Sequence, residues 1–120
     1  MDATTSIDAL KQKVKKFCED RDWDQYHSAK ELAIGLVTEG AELLDHFRFK
    51  SEEQISQGFL DPEKKQKISD ELADTLYFVL RFAQRYNIDL TTALVEKLEK
   101  TATKYPVAKV KGRNLKYNEY

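Results

Sequence analysis

Apolar residues recur every three or four positions along most of the chain and never alternate in strand fashion, so the pattern predicts helices and no sheet. Ile7, Leu10, Val14, Phe17 and Cys18 share one stripe, which predicts a first helix over about 6–19 with Thr5 or Ser6 as N-cap. Ser28-Ala29-Lys30-Glu31 has the form of a capping box and opens a second helix that runs to about Phe49. Asp61-Pro62 starts a third, because Asp accepts from free backbone N–H groups and Pro suits the first helical position; it runs to about Tyr86. Asn87 and Asp89 read as the end of that helix and the N-cap of a fourth, from Leu90 to about Lys104, stopped by Pro106. Asp20 to His27 reads as an ordered loop, Lys50 to Leu60 as a mixed polar connection, and 107–120 as a flexible basic tail with Lys109, Lys111, Arg113 and Lys116. The expected fold is an all-α four-helix bundle, one domain over 1–120.

The apolar residues of the second helix (Leu32, Leu36, Val37, Ala41, Leu43, Leu44, Phe47) cover an arc of about 200° on a helical wheel, wider than one packing contact requires. A monomer would expose part of that strip, which predicts a homo-oligomer, dimer or tetramer.

Composition narrows the function classes. A chain of 120 residues holds one core, and 41% hydrophobic with 34% charged residues suits a soluble domain. The 20 Lys+Arg almost cancel the 21 Asp+Glu, leaving a net charge of −1 that does not steer the molecule to nucleic acid or an anionic membrane. No stretch approaches the ~18 consecutive apolar residues of a membrane span, and the N-terminus lacks the order of a secretory signal. The single cysteine, Cys18, forms no internal disulfide and suits a buried hydrophobe; the expected setting is the cytoplasm.

Four carboxylates do not sit where a solvated helix face would put them. Glu71 falls between Thr75, Phe78 and Phe82 on the third helix, inside its apolar arc, with Asp74 one turn on. Glu39 borders the apolar arc of the second helix, with Glu42 one turn on. Two such i, i+3 pairs on neighbouring helices can aim four carboxylates at one volume, and that cluster repels itself unless cations occupy it. An all-oxygen donor set selects hard ions, Mg²⁺ or Mn²⁺, completed by water and phosphate oxygens. A di-iron bundle would need Glu-x-x-His, which neither pair supplies; His46 lies four residues after Glu42 and reads as a surface His. No nucleophile elbow or Gly-rich phosphate loop is present.

These residues resemble the MazG-like, all-α nucleoside triphosphate pyrophosphohydrolases, within them the dCTP pyrophosphatase branch. The resemblance covers about 15–117 and is carried by Glu19-Asp20-Arg21-Asp22-Trp23-Asp24-Gln25-Tyr26-His27, Leu36-Val37-Thr38-Glu39-Gly40-Ala41-Glu42-Leu43, Asp70-Glu71-Leu72-Ala73-Asp74-Thr75-Leu76, Lys97, Lys104-Tyr105-Pro106 and Lys116-Tyr117. It implies that Glu39, Glu42, Glu71 and Asp74 bind Mg²⁺ and that a nucleoside triphosphate is cleaved to monophosphate and pyrophosphate. Glu39 is the expected general base. Lys97 falls between Leu90 and Thr101 on the wheel and is expected to point inward toward phosphate, with Lys30 and Lys104 as further phosphate ligands.

Trp23 offers a stacking face and Tyr26 or His27 a hydrogen-bonding edge, as a base pocket needs. The sequence departs from the branch at Val14, where a base-contacting His is expected, at Phe49 (Trp), Phe78 (Tyr) and Thr101 (Asn). Phe49 and Phe78 remain candidate base contacts, and the departures leave the base preference, pyrimidine or modified deoxynucleotides, open. The competing reading is a non-enzymatic oligomeric bundle whose acids merely pair with Lys and Arg. Nucleic-acid binding through the basic tail is a third class, and the balanced charge argues against it.

Overall fold

The computed structural model describes residues 1–120 and contains helices and no strands. In chain order these are α1 (Ile7–Glu19), a 3₁₀ turn (Asp24–Tyr26), α2 (Ala29–Asp45), α3 (Glu52–Gly58), α4 (Pro62–Arg85), α5 (Leu90–Lys104) and α6 (Val107–Val110). They form two compact units, Met1–Asn87 and Ile88–Tyr120.

In the first unit α1 and α2 both pack along α4, the longest helix. The best-covered side chains are Cys18, Leu32, Leu80, Ala83 and, against expectation for a charged group, Arg81. The Cys18 sulfur lies 3.0 Å from the Tyr77 hydroxyl, which joins α1 to α4; burial and that contact push the Tyr77 phenol up. The expected N-caps are in place. Ser6 accepts from Ala9 N–H at 3.0 Å, Asp61 from Glu63 at 3.0 Å with Pro62 following, and Asp89 from Thr92 at 2.8 Å.

Three local expectations are corrected. Helix α2 ends at Asp45, short of Phe49, because the last bonds tighten to i, i+3 (His46 to Leu43, Phe47 to Leu44) and Phe49 takes a left-handed φ of 64°. The connection after it holds the short helix α3, started by a complete capping box. Ser51 Oγ accepts from Gln54 N–H at 3.1 Å, and Gln54 Oε1 accepts from Ser51 N–H at 2.8 Å. At Ser28 only half of the expected box forms, the hydroxyl accepting from Glu31 N–H at 3.3 Å. The basic tail contains α6, and in the second unit Tyr105 packs edge-on to Tyr117.

Gly35 brings α2 close to α4. A Cβ at that position would lie 2.3 Å from Cε1 of Phe78, so the absent side chain is what admits the ring. Gly35→Val is expected to destabilise the chain by about 1–3 kcal/mol through overpacking, read as a lower urea midpoint at unchanged m-value.

Candidate metal centre

The second turn from the end of α2 and the middle of α4 face each other with acids. One carboxylate oxygen from each of Glu39, Glu42 and Glu71 lies within 4.8 Å of the others. Oε2 of Glu39 and Oε2 of Glu71 are buried with no hydrogen-bond partner. A buried orphan carboxylate oxygen is costly, and two of them in one acidic cluster call for a cation. Asp74, more exposed, adds its negative charge to both. Loss of water, then hydrogen bonding to Glu42 and the neighbouring charges, push Glu39 up to about 7. The same causes raise Glu71, offset in part by His46. The donor set is all oxygen and fits a hard divalent ion.

His46 was missed as a neighbour of this site. Its Nε2 lies 3.8 Å from Glu71 Oε1, as an i, i+4 placement after Glu42 at the end of α2 permits.

The ring side chains assemble only in part. Trp23 meets Phe17 edge-on at 5.6 Å, Phe17 meets Tyr77 at 6.2 Å and Tyr77 meets Phe78 at 5.0 Å, so a continuous run of rings links Trp23 to Phe78. His27 lies 6.1 Å from Trp23. Tyr26 is 63% exposed, and Phe49, 92% exposed, lies under the guanidinium of Arg48; neither joins that run. Lys30 is exposed in the first turn of α2. Lys97 is exposed on α5, where residues 91–100 are exposed throughout, apolar ones included. Lys104 sits 5.0 Å over the Tyr117 ring.

A second polar assembly was not foreseen. Arg81 on α4 is fully buried and donates from Nε to His27 Nδ1 at 2.9 Å, from Nη1 to Gln84 Oε1 at 2.6 Å and from Nη2 to Asp24 Oδ1. Arg85 also reaches Asp24, Nη1 to Oδ2 at 3.6 Å. The available signal was an arginine inside the apolar run from Tyr77 to Ala83.

The model of the MazG-like family matches residues 34–120. This chain belongs to the MazG-like family. The matched segment holds all four acids of the predicted cage and spans parts of both compact units. Among curated relatives, dCTP pyrophosphatase 1 of Rattus norvegicus is 28% identical over 114 residues, 95% of this chain and 67% of the rat protein. The Homo sapiens protein of the same name is 26% identical over the same shares. A solved pyrophosphatase structure from Archaeoglobus fulgidus DSM 4304 superposes with a TM-score of 0.77 at 30% identity, covering 83% of this chain and 92% of that one. Within the MazG-like family, the chain resembles the dCTP pyrophosphatase branch.

Proposed function

We propose that this MazG-like chain is a Mg²⁺-dependent nucleoside triphosphate pyrophosphohydrolase that cleaves pyrimidine or modified deoxynucleoside triphosphates to monophosphate and pyrophosphate. The observation that carries the reading is the pair of buried, unpartnered oxygens on Glu39 and Glu71 inside a three-carboxylate cluster. Its relatives named dCTP pyrophosphatase 1 give the reaction class.

Glu39, Glu42, Glu71 and Asp74 would hold the metal, which when bound neutralises phosphate charge and acidifies water, with Mn²⁺ an acceptable substitute. Glu39 is assigned as the carboxylate not fully engaged by metal that accepts the proton of the attacking water. Trp23, joined through Phe17 and Tyr77 to Phe78, supplies the stacking wall for the base, with His27 and Tyr26 at its polar edge. Lys97, Lys30 and Lys104, all exposed cations, are assigned to phosphate. With Mg²⁺ present, a panel of standard and modified dNTPs should yield equimolar monophosphate and pyrophosphate for at least one pyrimidine substrate; orthophosphate as the only product would exclude this reaction.

The assembly completes the reading. The proposed functional domain spans 1–120, is of the four-helix-bundle type and is oligomeric. Ile34, Val37 and Leu44 on α2 and Leu72 and Leu76 on α4 are exposed apolar residues, and Leu72, Leu76 and Val79 line an open, mainly apolar cavity of about 440 Å³. So much uncovered aliphatic surface on a small chain favours burial against another protomer, and the outlying Phe49 then serves the neighbour's base pocket. Light scattering at micromolar concentration should give a multiple of 14.0 kDa, and Leu76→Glu should shift it toward the single-chain mass. No helix is long and apolar enough to cross a membrane. The proposed role is the clearing of unwanted nucleotides in the cytoplasm.

A further inference from the structure

We infer that Arg81 is a positioning residue which clamps the Trp23–His27 turn to α4 and sets His27 as an Nε2–H donor at the edge of the base pocket. The inference rests on the assignment of Trp23 and His27 to base binding.

Three features of the geometry carry it. Arg81 is fully buried, so its guanidinium is held by protein groups and not by water. Two of its three bonds cross 54 and 57 residues of sequence to His27 and Asp24, whereas its bond to Gln84 is local and fixes the plane of the fork. Arginine N–H groups only donate, so the bond from Nε requires His27 Nδ1 to be the acceptor; a neutral ring then carries its proton on Nε2. That Nε2–H, on the other side of the ring from the Arg81 bond, is the group the ring can offer to a ligand. Burial and the positive charges of Arg81 and Arg85 depress the imidazole, with Asp24 opposing them, which favours the neutral ring that the Arg81 bond requires.

The turn has few other anchors on α4. Trp23 N–H bonds back to Cys18 and Gln25 to Asp22, both local, so Arg81, helped by Arg85, supplies the long-range attachment of the segment that presents Trp23. A donor fixed beside a stacking ring suits a base that offers a carbonyl oxygen at its edge, as pyrimidines do. Hydrogen bonding of this kind discriminates more strongly than stacking.

Arg81→Gln tests the clamp, and Asp24→Ala, a truncation at the more exposed end of the same contact, keeps the test open if the buried substitution does not fold. Trp23 is the sole tryptophan, so its emission reports the turn directly. In either variant the emission should move to longer wavelength, KM for dCTP with Mg²⁺ should rise about tenfold or more, and kcat should stay within about threefold. Inhibition by inorganic triphosphate, which has no base, should be unchanged. Unchanged KM despite a shifted emission overturns the inference, as does a parallel loss of triphosphate inhibition, which marks general damage to the fold. Trp23→Ala separates the two levels: if it leaves KM for dCTP unchanged, the base-pocket assignment fails and the inference with it. If Trp23→Ala raises KM and both clamp variants do not, the inference alone fails.

Discussion

Glu71→Gln is expected to lower kcat/KM by on the order of a hundredfold or more while the metal-free protein keeps or gains thermal stability. The two effects share one cause. Glu71 contributes a carboxylate oxygen to the cluster with Glu39 and Glu42, and its other oxygen is buried without a partner. An amide of the same volume cannot supply the charge that a hard cation selects, so metal affinity falls. The same change deletes a desolvated negative charge among like charges, which the folded chain tolerates poorly. A residue needed only for structure would give the opposite pairing, with activity and stability falling together. Steady-state turnover and differential scanning fluorimetry with EDTA measure both halves, and full activity in Glu71→Gln would falsify the metal-cage reading.

The parts of this site that were legible in the sequence are those set by periodicity and local capping. Helical spacing put Glu71 inside an apolar arc and paired Glu39 with Glu42, and the structure brings these three together. Ser6 and Asp89 cap helices just before apolar-periodic stretches, and Asp61 just before a Pro at the first helical position, where free N–H groups need acceptors. Helix α3 escaped notice because seven residues give too short a stripe for periodicity to register. The Arg81 clamp joins positions more than fifty residues apart; the apolar run around Arg81 marks it as buried, but no local pattern names His27 and Asp24 as its partners. Lys97 shows the converse limit. A helical wheel orders residues around an axis but does not say which arc another element covers, and in this chain the apolar arc of α5 stays exposed at Leu94, Val95 and Leu98.

The largest effect on stability is expected from divalent cation, and it should depend on pH with a sign set by Glu39 and Glu71. Both carboxyls are raised in the folded chain, Glu39 from 4.5 to about 7. Between those values the folded state holds protons that the unfolded state releases, so this contribution to stability is full below the unfolded value and is lost as pH rises through the folded one. Asp24, held low by its bond to Arg81, acts with the opposite sign, its contribution present above its unfolded value and lost on acidification. His27, depressed by burial, likewise favours the folded state less as pH falls. Comparing the protein with and without cation at each pH removes these two backgrounds and leaves the cluster. A cation binds the ionised carboxylates and displaces their protons, so its effect must grow across the same window. At a free concentration of about a hundred times Kd the gain is about 2.7 kcal/mol, or roughly 10 °C in Tm for a domain of this size. We expect Mn²⁺ or Mg²⁺ to give that shift at pH 7.5 and a much smaller one at pH 5, and Glu39→Gln to flatten the difference. Equal shifts at the two pH values would mean that the ion binds elsewhere, because only groups that give up protons on binding can make the affinity rise with pH.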